Sequence, residues 1–314
     1  APRGRCGGCA TEISALRSRC RRCSEAPGEA RKCRAIKMHI YISCDMEGTA
    51  GVCSWKQCDP SDAQEYPLFR RYMTGEVRAA IEGAREAGAR EIVVNDSHWS
   101  MRNLLLDELP GDDGLRVISG APKPWSMMQG FDGPSDAVFF TGYHAKAGDC
   151  ATLSHTFSES IYSVAVNGVP CSEALLNAAL AGSHGVPVVL VTGDSVIVEE
   201  AARAMPWAVG VAVKDAIGFS AVNTLTPHAA RDAIHAGARE AMARIAVAKP
   251  FVFDPPFELT IETAGVEHAD FIELMPGFDR IGGRKVRFAC DQYPPLLGAF
   301  IAATRIAAVA DPTA

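Results

Sequence analysis

Apolar positions along the chain follow two alternating rhythms. Ile40 and Ile42 belong to a short apolar run that opens at Met38, and similar runs recur at residues 91–94, 115–119, 136–141, 162–166, 186–191, 209–213, 257–262 and 285–290. Runs of this length, bounded by glycine, proline and polar residues, predict β-strands. Between them apolar residues repeat every three or four positions, as helices require. One long such pattern, residues 67–87, carries Phe69, Tyr72, Met73, Val77, Ala80, Ile81 and Ala84 and is ended by Gly88. Further helices are predicted at 172–183, 195–204, 227–248 and 265–274, with another at the C-terminus. Asn167-Gly168 marks a hairpin after the strand at 162–166, and residues 152–158 read as extended. Strand alternating with helix gives an α/β fold: a mainly parallel sheet flanked by helices over residues 38–222, and a second, smaller α/β domain over 223–314.

The polar residues that interrupt these runs carry the candidate chemistry. The first strand breaks into Asp45-Met46-Glu47-Gly48, and side chains two apart on an extended segment point to the same side. A helix and a second, parallel strand follow, so His98 at the end of that strand is brought beside Asp45 and Glu47. His144 follows the strand at 136–141, and Glu173 falls in the first turn of a helix that Ser172 caps. In open α/β sheets ligands collect beyond the carboxyl ends of the strands, where these residues lie. Each alone reads more simply as an acidic turn, an exposed histidine or a partner of the helix dipole. Together, two histidines and three carboxylates exceed what one catalytic zinc takes and suit two metals with a bridging carboxylate. His155, between Ser154 and Thr156, is then free for general acid/base work or for stabilising an oxyanion. The other five histidines fall inside a strand or on or beside helices and are read as structural.

Composition adjusts this picture at the chain's beginning. The 314 residues are 48% hydrophobic and 22% charged, which suits a globular protein and excludes disordered or fibrous classes. The first 37 residues hold ten Lys and Arg against three Glu, so the net charge of −6 leaves about −13 on the rest. That balance gives no support for a nucleic-acid partner. The most apolar stretch, 296–310, is interrupted by Arg305 and is too short for a membrane span, so no membrane partner is expected. Residues 1–37 include Cys6-x-x-Cys9 and Cys20-x-x-Cys23, a spacing that can hold zinc, but only Ile13 and Leu16 are available to pack around it. They are read as a disordered extension, or as translated sequence upstream of a true start at Met38. With no apolar segment after the basic residues and six scattered cysteines in the remainder, a reducing, cytoplasmic location is expected.

In sequence order, Ser43-Cys44-Asp45-Met46-Glu47-Gly48, Asn95-Asp96-Ser97-His98, Ile118-Ser119-Gly120 with Lys123-Pro124, Gly142-Tyr143-His144-Ala145, Ser154-His155, Glu173 with Asn177-Ala178, and Leu274-Met275-Pro276-Gly277 resemble the zinc-dependent D-aminopeptidases. The resemblance covers nearly all of residues 38–314. It implies that Asp45, Glu47, His98, His144 and Glu173 bind two zinc ions per chain and that His155 is the catalytic histidine. It also implies release of N-terminal D-residues, such as D-Ala, from short peptides, by a ring-shaped homo-oligomer, a decamer in the known case. Ser172, where the family has glycine, and Trp99 after the histidine depart from the pattern and bear on the substrate pocket. Two other readings compete. A magnesium-dependent phosphatase or an amidase on the same dinuclear site would keep the carboxylates, although His98 and His144 favour zinc. A non-enzymatic metal- or peptide-binding module would leave His155 without a role.

Overall fold

The computed structural model describes residues 38–131 and 135–309, so the reading of residues 1–37 lies outside the described residues. Strand β1 (Met38–Cys44) leads through a loop containing the short helix α1 (Trp55–Cys58) into α2 (Tyr66–Glu86). Strand β2 (Ala89–Asp96) then returns parallel to β1, with Cys44 opposite Asp96. Next come β3 (Leu115–Ile118), β4 (Ala137–Tyr143), β5 (Ile161–Val166), β6 (Val169–Pro170), α3 (Glu173–Ser183) and β7 (Val188–Asp194). The chain continues with α4 (Ser195–Ala204), β8 (Val209–Gly218), β9 (Ala221–Thr224) and α5 (Pro227–Arg244), and ends in β10 (Phe257–Thr263), α6 (Val266–Ile272), β11 (Phe278–Gly282), β12 (Lys285–Cys290) and α7 (Tyr293–Val309).

The first sheet has the order β3-β2-β1-β4-β7-β8-β9, parallel except for β9. Its central strands β4 and β7 are buried at every position, because helices cover both faces; a continuous apolar run is the consequence. Helices α2 and α5 pack one face, with Ile81, Ala84, Ile234 and Ala238 in a common core. On the other face α3 and α4 share a core with α7 and the second sheet, in which Leu176, Ile197, Leu259 and Phe300 are buried together. That second sheet, β11-β12-β10-β5-β6, is antiparallel throughout and takes β5 and β6 from between β4 and α3. Asn167 and Gly168 both have positive φ, 51° and 77°, as the predicted hairpin turn demands. No described helix is long and apolar enough to cross a membrane.

Residues 152–158 depart from the expected extended conformation. They form a looping turn with left-handed backbone at Leu153 and Phe157 (φ 50° and 62°) and a lone bridge between Thr156 and Ser158. Hydrogen bonds anchor the loop: Leu153 N–H donates to Phe219 O (3.0 Å) and Thr152 Oγ1 to Gly218 O (2.9 Å). Strands β9 and β11 and helix α1 carry too few apolar residues to be predicted, and each forms against a neighbour already in place.

The topology singles out one position. Sequence order runs outward from β1 through β2 to β3 on one side and through β4 and β7 to β8 on the other, so the direction of winding reverses between β1 and β4. A crevice opens at the carboxyl end of such a pair, because the loops leaving it diverge to opposite sides.

Candidate metal centre

Asp45 and Glu47 leave the end of β1 in that crevice, and two glycines let their loop settle onto β4. Gly48 N–H donates to Gly142 O (2.8 Å), and a Cβ on Gly48 would stand 1.8 Å from Tyr143 O. Gly142 has φ 69°, which favours glycine, and a Cβ there would lie 2.2 Å from Asp45 O. The buried Lys214 of β8 ties the loop from below, its ammonium donating to Glu47 O and to Val52 O (2.7 Å).

The remaining site residues arrive from separate elements. His98 follows β2, where Asp96 accepts from Leu104 N (2.9 Å) and Asn103 Nδ2 (2.7 Å), and Lys123 donates to Asn95 Oδ1 (2.7 Å) and Asp96 O (2.6 Å). Asn95, Asp96 and Lys123 thus shape the turn that aims His98. His144 follows β4, and Ala145 N–H is held by Asp194 Oδ2 (2.9 Å) at the end of β7. Glu173 opens α3, where Ser172 caps the helix by accepting from Leu175 N (3.2 Å), as the sequence suggests. His155 hangs from the loop of residues 152–158, and Phe157 N–H of that loop donates to Glu173 Oε1 (2.6 Å).

These six side chains converge. His98 Nδ1 lies 3.3 Å from Asp45 Oδ1 and 2.9 Å from Glu47 Oε2. His144 Nε2 lies 3.4 Å from Asp45 Oδ2 and 3.5 Å from Glu173 Oε1. Asp45 therefore offers one oxygen to each histidine, the disposition of a bridging carboxylate. His155 Nε2 stands back, 3.8 Å from Glu47 Oε1 and 3.9 Å from Glu173 Oε1, with its ring stacked on that of His144 (centroids 4.3 Å apart, planes 3° from parallel). Each histidine has its outer nitrogen fixed at 2.9 Å by a backbone carbonyl: His98 by Cys58 O, His144 by Ala145 O and His155 by Leu153 O. Such second contacts occupy the outer nitrogen, so the inner nitrogen of each ring is the one that can give a lone pair to a metal once it has lost any proton.

The donor set fits a metal on this structure's own terms. The buried Glu47 Oε2 and His144 Nε2 face only the opposed groups of the cluster itself, His98 Nδ1 at 2.9 Å and carboxylate oxygens at 3.4 and 3.5 Å, and neither makes a well-directed hydrogen bond, an arrangement that a cation between them would satisfy. Donor atoms of Asp45, Glu47 and His144 lie within 4.8 Å of one another, as do those of His144, His155 and Glu173. Glu47 and His98 form a third such group with Cys58, which the sequence does not single out. Cys44 and Cys171, which flank the ligand motifs, instead donate to Asn95 O and Val169 O. Burial pushes the Asp45 and Glu47 carboxyls up, but nearby imidazoles outweigh it and hold both below their ordinary values. Burial pulls His98 and His144 down, and the surrounding carboxylates outweigh it, leading with Glu47 for His98 and Glu173 for His144, and raise both well above normal. Metal uptake must therefore displace protons from these rings.

Beneath the loop, burial raises the Glu76 carboxyl to about 7, against the opposing pull of the Ala50 N–H it accepts (2.9 Å) and of Lys214. A carboxyl whose folded pKa exceeds its unfolded one costs stability, with a cost that grows as pH rises from the unfolded pKa towards 7 and is constant above. Glu76→Gln is expected to raise the melting temperature at pH 8, by up to about 3 kcal/mol of stability, and to leave it unchanged near pH 4. Thermal unfolding at the two pH values checks this; a variant less stable at pH 8 would mean that ionised Glu76 is needed by Lys214.

The cluster opens into a cavity of about 500 Å³ whose walls include Trp55, Trp99, Met127 and Phe157, with Thr304 and Arg305 from α7. Trp55 meets His155 edge to face at 5.1 Å. A buried cluster of carboxylates and histidines able to hold a metal, at the end of a partly apolar cavity of this size, is suited to hydrolysing a small polar molecule.

The family description D-aminopeptidase matches residues 38–302. The chain belongs to the D-aminopeptidase family. It is 34% identical over 271 residues to the D-aminopeptidase of Bacillus subtilis (strain 168), covering 86% of this chain and 98% of that protein. Its fold is similar to that of the Zn-dependent D-aminopeptidase DppA from Bacillus subtilis, described as a self-compartmentalizing protease, with a TM-score of 0.82 and 33% identity over 86% of this chain and 98% of that one. Within this family the chain is a hydrolase of the metallo-aminopeptidase type.

Proposed function

We propose that this protein is a zinc-dependent aminopeptidase that removes N-terminal D-residues, such as D-Ala, from short peptides. The observation that carries the reading is the split of Asp45 between His98 and His144 at the winding reversal of a family-matched fold. In this reading Asp45, Glu47, His98, His144 and Glu173 would hold two zinc ions, with the two Asp45 oxygens turned one towards His98 and one towards His144. When bound, zinc supplies Lewis acidity towards the scissile carbonyl and lowers the pKa of water. The chain's own part is to place the reactants. His155, with Nδ1 fixed by Leu153 O, presents Nε2 to the cavity, takes a proton from the attacking water and delivers it to the leaving amine. His155 is more exposed than the five proposed ligands, with 15% of its side chain accessible, as a group that must meet substrate requires. The walls formed by Trp55, Trp99 and Phe157 exclude water and orient the N-terminal residue.

All six site residues fall within 38–222, which we propose as the catalytic part of the chain; of residues 223–314, α5 packs on the first sheet beside α2, and α7 contributes to the cavity wall. By analogy with the self-compartmentalizing relative, a ring-shaped homo-oligomer, a decamer, is the proposed assembly. The six free cysteines among the described residues support a reducing, cytoplasmic setting.

The test is hydrolysis of matched D-Ala-D-Ala and L-Ala-L-Ala by the full chain. Cleavage of the D-form alone, lost with chelator and restored by zinc, is expected. Cleavage of phosphate esters but of neither peptide would transfer the site to phosphatase chemistry.

A further inference from the structure

Helix α7 (Tyr293–Val309) contains a single charged residue, Arg305, and that residue lies on the wall of the metal cavity beside Thr304 and Ala308. Among the described residues lining this cavity, Arg305 is the one permanent cation, whereas Asp45, Glu47, Glu159 and Glu173 are acidic. The guanidinium is exposed, and among the described residues no carboxylate pairs with it. Two other cations beside the cluster are committed elsewhere: Lys123 and Lys214 are buried and donate to protein oxygens, among them Asp96 O and Glu47 O. An arginine in an otherwise uncharged helix, left without a partner at the exposed edge of an acidic cavity, is complementary to an anionic group arriving with the substrate.

We propose that Arg305 binds the C-terminal carboxylate of a peptide whose N-terminal residue sits at the metal centre, so that the site selects free peptides of two or three residues. The inference rests on the aminopeptidase reading above. An aminopeptidase places the substrate's amine and first carbonyl at the catalytic cluster, so the carboxylate of a short peptide projects away towards the rim. Two to three extended residues span roughly 7–11 Å, a length that a cavity of this kind accommodates. Arg305 is then a specificity-determining residue, acting on the end of the substrate remote from the broken bond.

The experiment compares D-Ala-D-Ala with D-Ala-D-Ala-amide for the wild type, R305Q and R305K, with kcat and KM resolved separately and assembly size measured on each. The amide keeps the scissile bond and removes the anion. The wild type is expected to prefer the free acid by about tenfold or more in kcat/KM, through KM. R305Q is expected to lose that preference while cleaving the amide as the wild type does, and R305K to recover part of it. Equal wild-type activity on acid and amide, or a parallel loss of both in R305Q with altered assembly size, would overturn the role of Arg305. Undiminished amide cleavage with no preference would do so while leaving the aminopeptidase reading intact, whereas failure of the wild type on both substrates would remove the two together.

Discussion

Asp45→Asn is expected to lose at least one of two bound zinc ions per chain and to lower kcat/KM by roughly 10³-fold, close to 4 kcal/mol of transition-state stabilisation. The size of the effect follows from geometry. One Asp45 oxygen stands 3.3 Å from His98 Nδ1 and the other 3.4 Å from His144 Nε2, so the carboxylate serves both halves of the cluster. Asparagine retains one oxygen and replaces the other with an amide that has no lone pair to give. Metal analysis of the purified variant, set beside its thermal unfolding, separates loss of ligation from loss of fold. Full occupancy with normal activity would show that Asp45 does not bridge.

His155→Ala is expected to behave differently, keeping about two zinc ions while activity falls by about 10²- to 10⁴-fold. His155 Nε2 is 3.8 and 3.9 Å from its nearest carboxylates, farther than the shortest contacts of His98, and its ring is the most accessible of the three. A proton carrier needs that position, since it must meet both the water and the leaving amine. The same nitrogen belongs to a donor group with His144 and Glu173, which gives the measurement its force. A variant that loses a zinc ion along with activity would make His155 a ligand, and the proton-transfer role would pass to another group.

How far the sequence reveals this site depends on which kind of structure holds each residue. Asp45, Glu47, His98 and His144 are legible because each follows a buried strand of the parallel sheet, and continuous apolar runs such as 137–143 declare both the strand and its end. Parallel pairing then brings those ends together without further information. Glu173 is legible through the Ser172 cap. The conformation of residues 152–158 is not, because it depends on left-handed Leu153 and Phe157 and on hydrogen bonds to Gly218 and Phe219 about 65 residues away, none of which leaves a local pattern. His155 is found as a residue, but the loop that aims it is not. Cys58 escapes notice for a related reason: α1 is one turn long, and only its packing on α2 brings the thiol beside Glu47 and His98. The antiparallel second sheet is likewise hidden, since it pairs β5 with β10 across nearly a hundred residues.

The polar residues around the proposed ligands are tied to one another. Ser43 Oγ lies 2.9 Å from Ser97 Oγ and 2.8 Å from Tyr143 OH, and Asn177 Nδ2 donates to the same phenol oxygen at 3.0 Å. Residues from β1, β4, α3 and the turn after β2 are thus joined in one buried network under the candidate metal centre. Satisfied networks of this kind fix relative positions closely, as a site assembled from separate elements requires.

The most direct test of the account is the zinc dependence of activity in metal-free enzyme. Hydrolysis of D-Ala-D-Ala is predicted to rise with added zinc until two equivalents per chain are bound and then level off, with L-Ala-L-Ala uncleaved throughout. Full activity at one equivalent would contradict the shared cluster built on Asp45, and no peptide cleavage after two are bound would contradict the aminopeptidase assignment.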